Sequence, residues 1–234
     1  MNTLPALPAL SDALEDDLNA QGWSIVRAVL DAAACESLRD EYEREALFRS
    51  RVVMQRHGFG RGEYKYFAYP LPSLVAQLRA HLYPQLAPIA NRWHERLGLA
   101  ARFPARHADF IERCHAAGQG RPTPLLLRYR AGDYNCLHQD LYGEHVFPLQ
   151  AVCLLSRPET EFDGGELVLT EQRPRMQSRA SVLRLAQGDM AVFAVNHRPA
   201  GGVRGDYRVA MRHGVSMLRR GERYTLGVIF HDAS

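Results

Sequence analysis

Lysine is all but missing from this chain. Lys65 is the single one among 29 basic residues, and the others are arginine. The guanidinium fork binds carboxylate and phosphate well, so a phosphate-bearing substrate is permitted, but a net charge of +3 is not the clustered charge of a nucleic-acid footprint. Cysteine is scarce too. Cys35, Cys114, Cys136 and Cys153 form no CxxC pair, which excludes a thiolate zinc site and argues against a disulfide framework. Long apolar runs are absent, each being broken by Pro, Arg or His, and MNTLPALPALSDALEDD carries acids where a secretory leader needs bases. No membrane association is expected, and the expected compartment is the cytoplasm. Internal repeats and low-complexity tails are also lacking.

What is present divides near residue 120. Before it the periodicity is mainly helical: Ser11 precedes a first helix, residues 22–29 read as a short strand, and Asp31 is a candidate N-cap for AAACESLRDEYEREALF. A second helical block spans residues 74–97, with interruptions expected near Pro84 and Pro88. Between the blocks, RHGFGRGEYKYFAYPLP (residues 56–72) reads as a loop that either covers a substrate or packs its own aromatics onto the core. From Pro122 onward, short runs such as LLLRYR, FPLQAVCLL, GELVLT, DMAVFAV and YTLGVIF alternate with Gly, Pro and Asp turns. The expected fold is α+β in one domain over residues 1–234. Residues 122–232 form a jelly-roll (double-stranded β-helix) core, and residues 1–121 supply an N-terminal helical layer and a substrate loop.

Chemistry concentrates in two places. In HQD, residues two apart project to one side of an extended chain, so His138 and Asp140 can reach one ion. In RHGVSMLRRGERYTLGVIF, His213 is read as opening a strand, and Arg223 lies ten residues on, beyond a turn at Gly221. If these two strands pair as neighbours, His213 completes a set of two histidines and one carboxylate with open positions, the donor set of non-haem Fe(II) oxygenases. A hydrolytic zinc could use the same three residues. Arg223 discriminates, because 2-oxoglutarate bound to iron by its keto-acid end presents a second carboxylate that needs a bidentate cation. Thr225 on the same face and Tyr129 on the strand before HQD could join it.

The rival for the distal ligand is His197, with Arg208 eleven residues on, but PAGGVRGD between them reads as a long loop, and His213 is favoured. His197, Arg198 and Arg204 are then candidates for the pocket mouth. His145 and His231 read as ordinary core or surface residues. Cys136 and Leu137 are expected to pack under or beside the site, and Glu166 to fix the GGE turn. Candidate substrate contacts are Arg61, Tyr64, Tyr66, Asn135, Gln139, Tyr142 and Arg173.

Taken together, LLLRYRAGDYNCLHQD, FDGGEL, GDMAVF and RHGV followed by GERYTLGVIF resemble, in order, the motifs of Fe(II)/2-oxoglutarate dioxygenases of the prolyl-hydroxylase-like and AlkB types. The whole chain also resembles a group of bacterial oxygenases named for oxidative repair of alkylated nucleic acid. That resemblance implies Fe(II), 2-oxoglutarate and O2. It implies that decarboxylation of 2-oxoglutarate to succinate and CO2 is coupled to hydroxylation or oxidative demethylation of a substrate. That substrate would be a modified nucleobase, a protein side chain or a small metabolite. Leu127 stands where AlkB-type enzymes carry Asn, and the ten-residue spacing from His213 to Arg223 matches the hydroxylase branch. Two other readings stay open: a jelly-roll hydrolase or isomerase that needs no oxygen, and a non-catalytic binding or sensing module.

Overall fold

Local chemistry sets the first elements. Helix α1 (Asp12–Gln21) stops at Gly22, whose φ of +82° lets its N–H return to the Leu18 carbonyl at 2.9 Å. After strand β1 (Trp23–Val26), Asp31 caps α2 (Ala32–Asp40) by accepting from the Ala34 N–H at 2.8 Å. The structure, a computed structural model, describes residues 7–203 and 205–234. Residues 1–6, the start of the stretch read for a leader, and Arg204 lie outside the described residues.

Residues 56–72 are not the loop that their glycines suggest. After β2 (Phe48–Val53), this segment forms β3 (Gly60–Arg61) and β4 (Glu63–Phe67). Gly60, at φ +129°, lies so close to β6 (Tyr134–His138) that a Cβ would sit 2.4 Å from the Tyr134 carbonyl oxygen. Glycine here permits a close backbone approach rather than a chain reversal. Helix α3 (Ser73–Arg96) likewise runs unbroken through Pro84 and Pro88. The two prolines are four residues apart, so the backbone bonds they forgo fall on one side of the helix. Helix α4 (His107–Ala116) completes the helical layer.

The remaining strands are β5 (Leu125–Arg130), β7 (Leu149–Leu154), β8 (Phe162–Gly164), β9 (Leu167–Gln172), β10 (Arg179–Leu183), β11 (Met190–Ala194), β12 (His197–Gly202), β13 (Gly205–Val215) and β14 (Leu218–Val228). One antiparallel sheet runs β1-β11-β7-β14-β5-β4-β2, with β8 also on β14. The second runs β10-β9-β13-β6-β3, with β12 also on β13. The expected jelly roll is present, and strands from both halves of the sequence build each sheet.

Four expectations about the distal motif need correction. PAGGVRGD is not a long loop: β12 and β13 form a hairpin in which His197 pairs with Ala210 and Gly202 with Gly205. His213 does not open a strand but lies near the end of β13. Nor do β13 and β14 pair. Ser216 and Met217 carry the chain from one sheet to the other, held there by Leu218 N–H on the Asp133 carbonyl (2.8 Å) and Gly165 N–H on the Met217 carbonyl (3.2 Å). Gly221 is inside β14 at φ +78°, where a Cβ would lie 1.9 Å from the Glu161 carbonyl oxygen. It admits the β8 segment alongside rather than making a turn.

Register then dictates what faces the gap between the sheets. Arg223 pairs with Tyr129; Leu154, Thr225, Leu127 and Tyr64 form the next row; Val152, Gly227, Leu125 and Tyr66 form the row after. Gln150 and Phe193 pair at the far end. Across the gap, His213 pairs with His138 on one side and Leu169 on the other.

Helices α3 and α4 join the sheets through an aromatic cluster of Tyr83, Phe103, Phe110, Phe147 and Phe230. Beside it a buried ion pair ties α3 to the C-terminus. Arg79 donates to Asp232 at 2.9 Å, and His115 and Tyr69 reach the other carboxylate oxygen at 2.9 and 2.8 Å. Burial alone would push the Asp232 carboxyl up, but Arg79 and these hydrogen bonds hold it below its ordinary value. Asp232→Asn strands the buried Arg79 charge and is expected to cost about 3–5 kcal/mol at pH 7. The folded-state pKa is the depressed one, so this contribution is complete above the unfolded carboxylate value and fades as pH falls through the folded value. Denaturant titrations at pH 7 and at acid pH should therefore show the gap between wild type and variant narrowing with acid.

Candidate active site

Three side chains converge between the sheets. Among the described residues, His138, Asp140 and His213 form the one group of potential metal donors whose ligand atoms all lie within 4.8 Å of one another. Asp140 Oδ1 is 3.6 Å from His138 Nε2, and Oδ2 is 3.3 Å from His213 Nε2. His138 sits at the end of β6, its Nδ1 2.8 Å from the Cys136 carbonyl. That bond makes Nδ1 the protonated nitrogen and leaves the Nε2 lone pair free for an ion. Burial, with His213 close by, lowers the His138 pKa and favours the neutral ligand form.

Asp140 is oriented from outside the triad. Tyr142 Oη donates to Oδ1 at 2.6 Å and in turn accepts from Tyr66 Oη at 3.1 Å. Burial would raise the Asp140 carboxyl, but the hydrogen bond and charge of His213, with His138 and Tyr142, hold it well below the usual carboxylate range. Tyr142 is pushed strongly up by burial and by Asp140, so it stays a hydrogen-bond donor. Expected as a substrate contact, it lines the cavity, and its hydroxyl also bonds to Asp140 and Tyr66.

The triad opens onto a cavity of about 380 Å³ lined by both sheets. Arg223 and Thr225 line this cavity with Tyr129, and all three are buried. Among the described residues, Arg223 Nη1 and Tyr129 Oη have no hydrogen-bond partner. No carboxylate of the described residues forms an ion pair with Arg223. Burial lowers its pKa to about 10, which leaves it charged at neutral pH. A buried, unpaired guanidinium beside an unpaired hydroxyl is costly in a folded chain. It fits a small anion.

The other expected residues separate. Tyr64, Tyr66 and Asn135 line the cavity. Gln139 lines it too, but its amide is engaged by the Asn196 and Met211 carbonyls at 3.2 and 2.8 Å. Arg61 is exposed on β3 and Arg173 lies beside Glu171 at 3.7 Å; neither lines the cavity. His197 borders a separate cavity with His94 and Arg208. Arg198 is not at the mouth either, being buried against Glu171 at 2.7 Å. Cys136 and Leu137 are exposed rather than packed under the site, but both line its cavity beside His138, as the second half of that expectation has it. Glu166 joins Ser216 at the crossing between sheets, as a turn-fixing residue should. His231 is buried, as an ordinary core residue.

Two residues escaped the sequence reading. Gln150 lies 3.1 Å from His213 Nε2, and the Phe193 ring centroid lies 4.8 Å from that of His213. The signal for Gln150 is a lone polar residue in the apolar run FPLQAVCLL. Phe193 has no such signal, since its run DMAVFAV is apolar throughout.

Residues 62–233 match the family Oxygenase-NA, described as "Oxygenase, catalysing oxidative methylation of damaged DNA". Two Mycobacterium tuberculosis proteins, Rv2227 and MT2286 from a second strain, are each 51% identical over 168 residues, 72% of this chain and 72% of theirs. Among solved structures, a Pseudomonas putida prolyl-4-hydroxylase superposes with a TM-score of 0.55 at 17% identity, covering 95% of this chain and 98% of that one. A Trichoplax adhaerens prolyl hydroxylase in complex with a hypoxia-inducible-factor peptide fragment gives 0.55 at 15% identity, covering 94% and 87%. HygX from Streptomyces hygroscopicus, with nickel and 2-oxoglutarate bound, gives 0.52 at 18% identity over the same two shares. At such identities the likeness is one of fold.

Proposed function

From the premise that this chain belongs to the Oxygenase-NA family of oxygenases, we propose that it couples the conversion of 2-oxoglutarate and O2 into succinate and CO2 to oxidation of an alkylated nucleobase. The observation that carries this reading is the pairing, in one cavity, of a His-Asp-His donor set with a buried guanidinium that lacks a counter-ion. His138, Asp140 and His213 would hold Fe(II); Arg223, with Tyr129 and Thr225, would hold the far carboxylate of 2-oxoglutarate. Iron bound with 2-oxoglutarate supplies the activation of O2 and the oxidation of a substrate C–H bond.

The chain's own residues do the rest. His138 and His213 would offer two nitrogen donors and Asp140 one carboxylate, a set of three that would leave ligand positions for the co-substrate and oxygen. Arg223 fixes the co-substrate's orientation by pairing at its far end. Leu127, Val152 and Ile229, which are apolar, exclude water around the reacting carbon. Tyr64 and Tyr66 offer flat walls suited to a planar heterocycle, and the family description favours a nucleobase over a peptide or small metabolite. Oxidation at an N-methyl carbon gives a hydroxymethyl amine that releases formaldehyde and the demethylated amine. Among the described residues, no helix is long and apolar enough to cross a membrane.

Reconstitution with Fe(II), ascorbate, 2-oxoglutarate and O2 tests the proposal, with methylated oligonucleotides, peptides and small metabolites supplied in parallel. Succinate and formaldehyde in equal amounts with the oligonucleotide are expected. Succinate with only a peptide or metabolite would move the substrate, and no succinate with any of the three would overturn the reaction. Removal of the Asp140 support is a finer check. Tyr142→Phe should weaken metal binding roughly 10–100-fold, as loss of an outer partner commonly does, read by Mn(II) competition against a chelator.

A further inference from the structure

A cavity of about 300 Å³ lies apart from the active-site cavity but shares a wall with it. Gln139 lines the first and donates, at 3.2 Å, to the carbonyl of Asn196, which lines the second. Five basic side chains line this second cavity, each brought by a different stretch of chain: His94 by α3, Arg113 by α4, His145 by the segment after Asp140, His197 by β12 and Arg208 by β13. Among the described residues its lining includes a single acid, Glu144, which is exposed and pairs with none of them.

Few of these groups serve the fold. Asp206, two residues before Arg208 on β13, is taken by Arg96 at 2.8 and 3.0 Å, and His145 is held through its backbone alone, by the Gln119 amide. Among the described residues, Arg208 and the rings of His145 and His197 have no hydrogen-bond or ion-pair partner. His94 and Arg113 are oriented by one carbonyl each, Ala101 at 3.0 Å and Arg102 at 2.5 Å. Burial lowers the pKa of His94 and of His197, and the Arg208 charge lowers both further. The positive potential that both rings feel has one exposed carboxylate to set against it.

Groups that reach one space from five stretches of chain suit a tetrahedral oxyanion, which accepts hydrogen bonds from several directions. A planar carboxylate needs less, since one guanidinium fork satisfies it. Most of the remaining lining is apolar, Trp93, Phe103, Phe110 and Pro148 among it, and the volume stands at the lower end of small-molecule sites, about 300–1,000 Å³. There is room for a phosphate and part of whatever carries it. We propose that this cavity is a phosphate-binding site, separate from the anion site at Arg223 and centred on Arg208 and His197. The phosphate belongs either to a small phosphate monoester or to a nucleic-acid strand, and the same residues would hold both.

The test uses the full chain and three probes: inorganic phosphate, deoxyadenosine monophosphate, and a single-stranded oligonucleotide without terminal phosphates. Each is titrated calorimetrically into wild type, Arg223→Met, Arg208→Leu, Arg208→Lys and His197→Leu. Wild type and Arg223→Met are expected to bind the two small probes alike, because the site does not involve Arg223. Arg208→Leu should bind both about tenfold or more weakly, and His197→Leu should also weaken them. Arg208→Lys, which keeps the charge but not the fork, should fall between wild type and Arg208→Leu. Oligonucleotide affinity that falls in parallel assigns the site to a strand; oligonucleotide affinity indifferent to Arg208 assigns it to a free monoester. Both outcomes support the proposal. Arg208 is exposed, so its variants should fold, and thermal unfolding checks this for every variant. Wild type that binds neither small probe at millimolar concentration would overturn the proposal. So would binding that Arg208→Leu leaves unchanged, or binding that Arg223→Met abolishes.

Discussion

Arg223→Met is expected to give a protein at least as stable as wild type that has lost the use of 2-oxoglutarate. The two effects have one cause. Arg223 is 3% exposed, charged, and without a carboxylate partner among the described residues, so the folded chain bears a desolvation cost that nothing internal offsets. Methionine matches the apolar stem, removes the charge, and should leave stability unchanged or raised by about 1–3 kcal/mol. The anion proposed for Arg223 would lose a buried, charge-assisted pair, and removing one partner of such a pair costs about 2–5 kcal/mol in binding. The concentration of 2-oxoglutarate needed for half-maximal succinate formation should therefore rise on the order of a hundredfold or more. Urea titration and succinate assays on the same preparation check both signs. An Arg223→Met protein with wild-type response to 2-oxoglutarate would remove the residue from the site.

Asp140→Ala is expected to abolish turnover and to make stability indifferent to metal. Asp140 supplies the only negative charge of the donor set, and its two oxygens face the two imidazoles at 3.6 and 3.3 Å. Without it the site offers two neutral nitrogens, too little to hold a hard divalent ion against water. Wild type loaded with Mn(II) at about a hundred times its dissociation constant should gain about 2.7 kcal/mol over the chelated protein. The variant should gain nothing. Equal metal-dependent shifts in melting temperature for both proteins would place the ion elsewhere.

The donor residues were legible in the sequence because each carries chemistry that few other residues can: HQD and His213 as ligands, Arg223 as a buried cation. Their relative placement was not. His213 and Arg223 are ten residues apart, and short separation in sequence suggests a hairpin, whereas the hydrogen bonds of Asp133 and Gly165 send the chain across to the other sheet. Local signals misled in one consistent way. Gly60, Gly221 and the glycines of PAGGVRGD look like turn formers, yet Gly60 and Gly221 allow backbones to come close, and Gly201 and Gly202 lie within β12 and pair with β13. Pro84 and Pro88 look like breaks, yet the tertiary packing of Tyr83, Leu86 and Trp93 holds α3 together through them. Gln150 was missed for a different reason. Its one local signal is a polar residue in an apolar run, and the meaning of that signal depends on His213, 63 positions away.

The two-residue crossing at Ser216 and Met217 has a mechanical consequence. Because it puts His213 in one layer and Arg223 in the other, a dicarboxylate that reached both, as proposed, would fasten the layers together, while a ligand that reached one would leave them free to part. The gap between the layers is then a gauge of ligand length, set by the packing of the whole sandwich. A core substitution far from any donor could change which keto acid fits without altering a single residue that touches it.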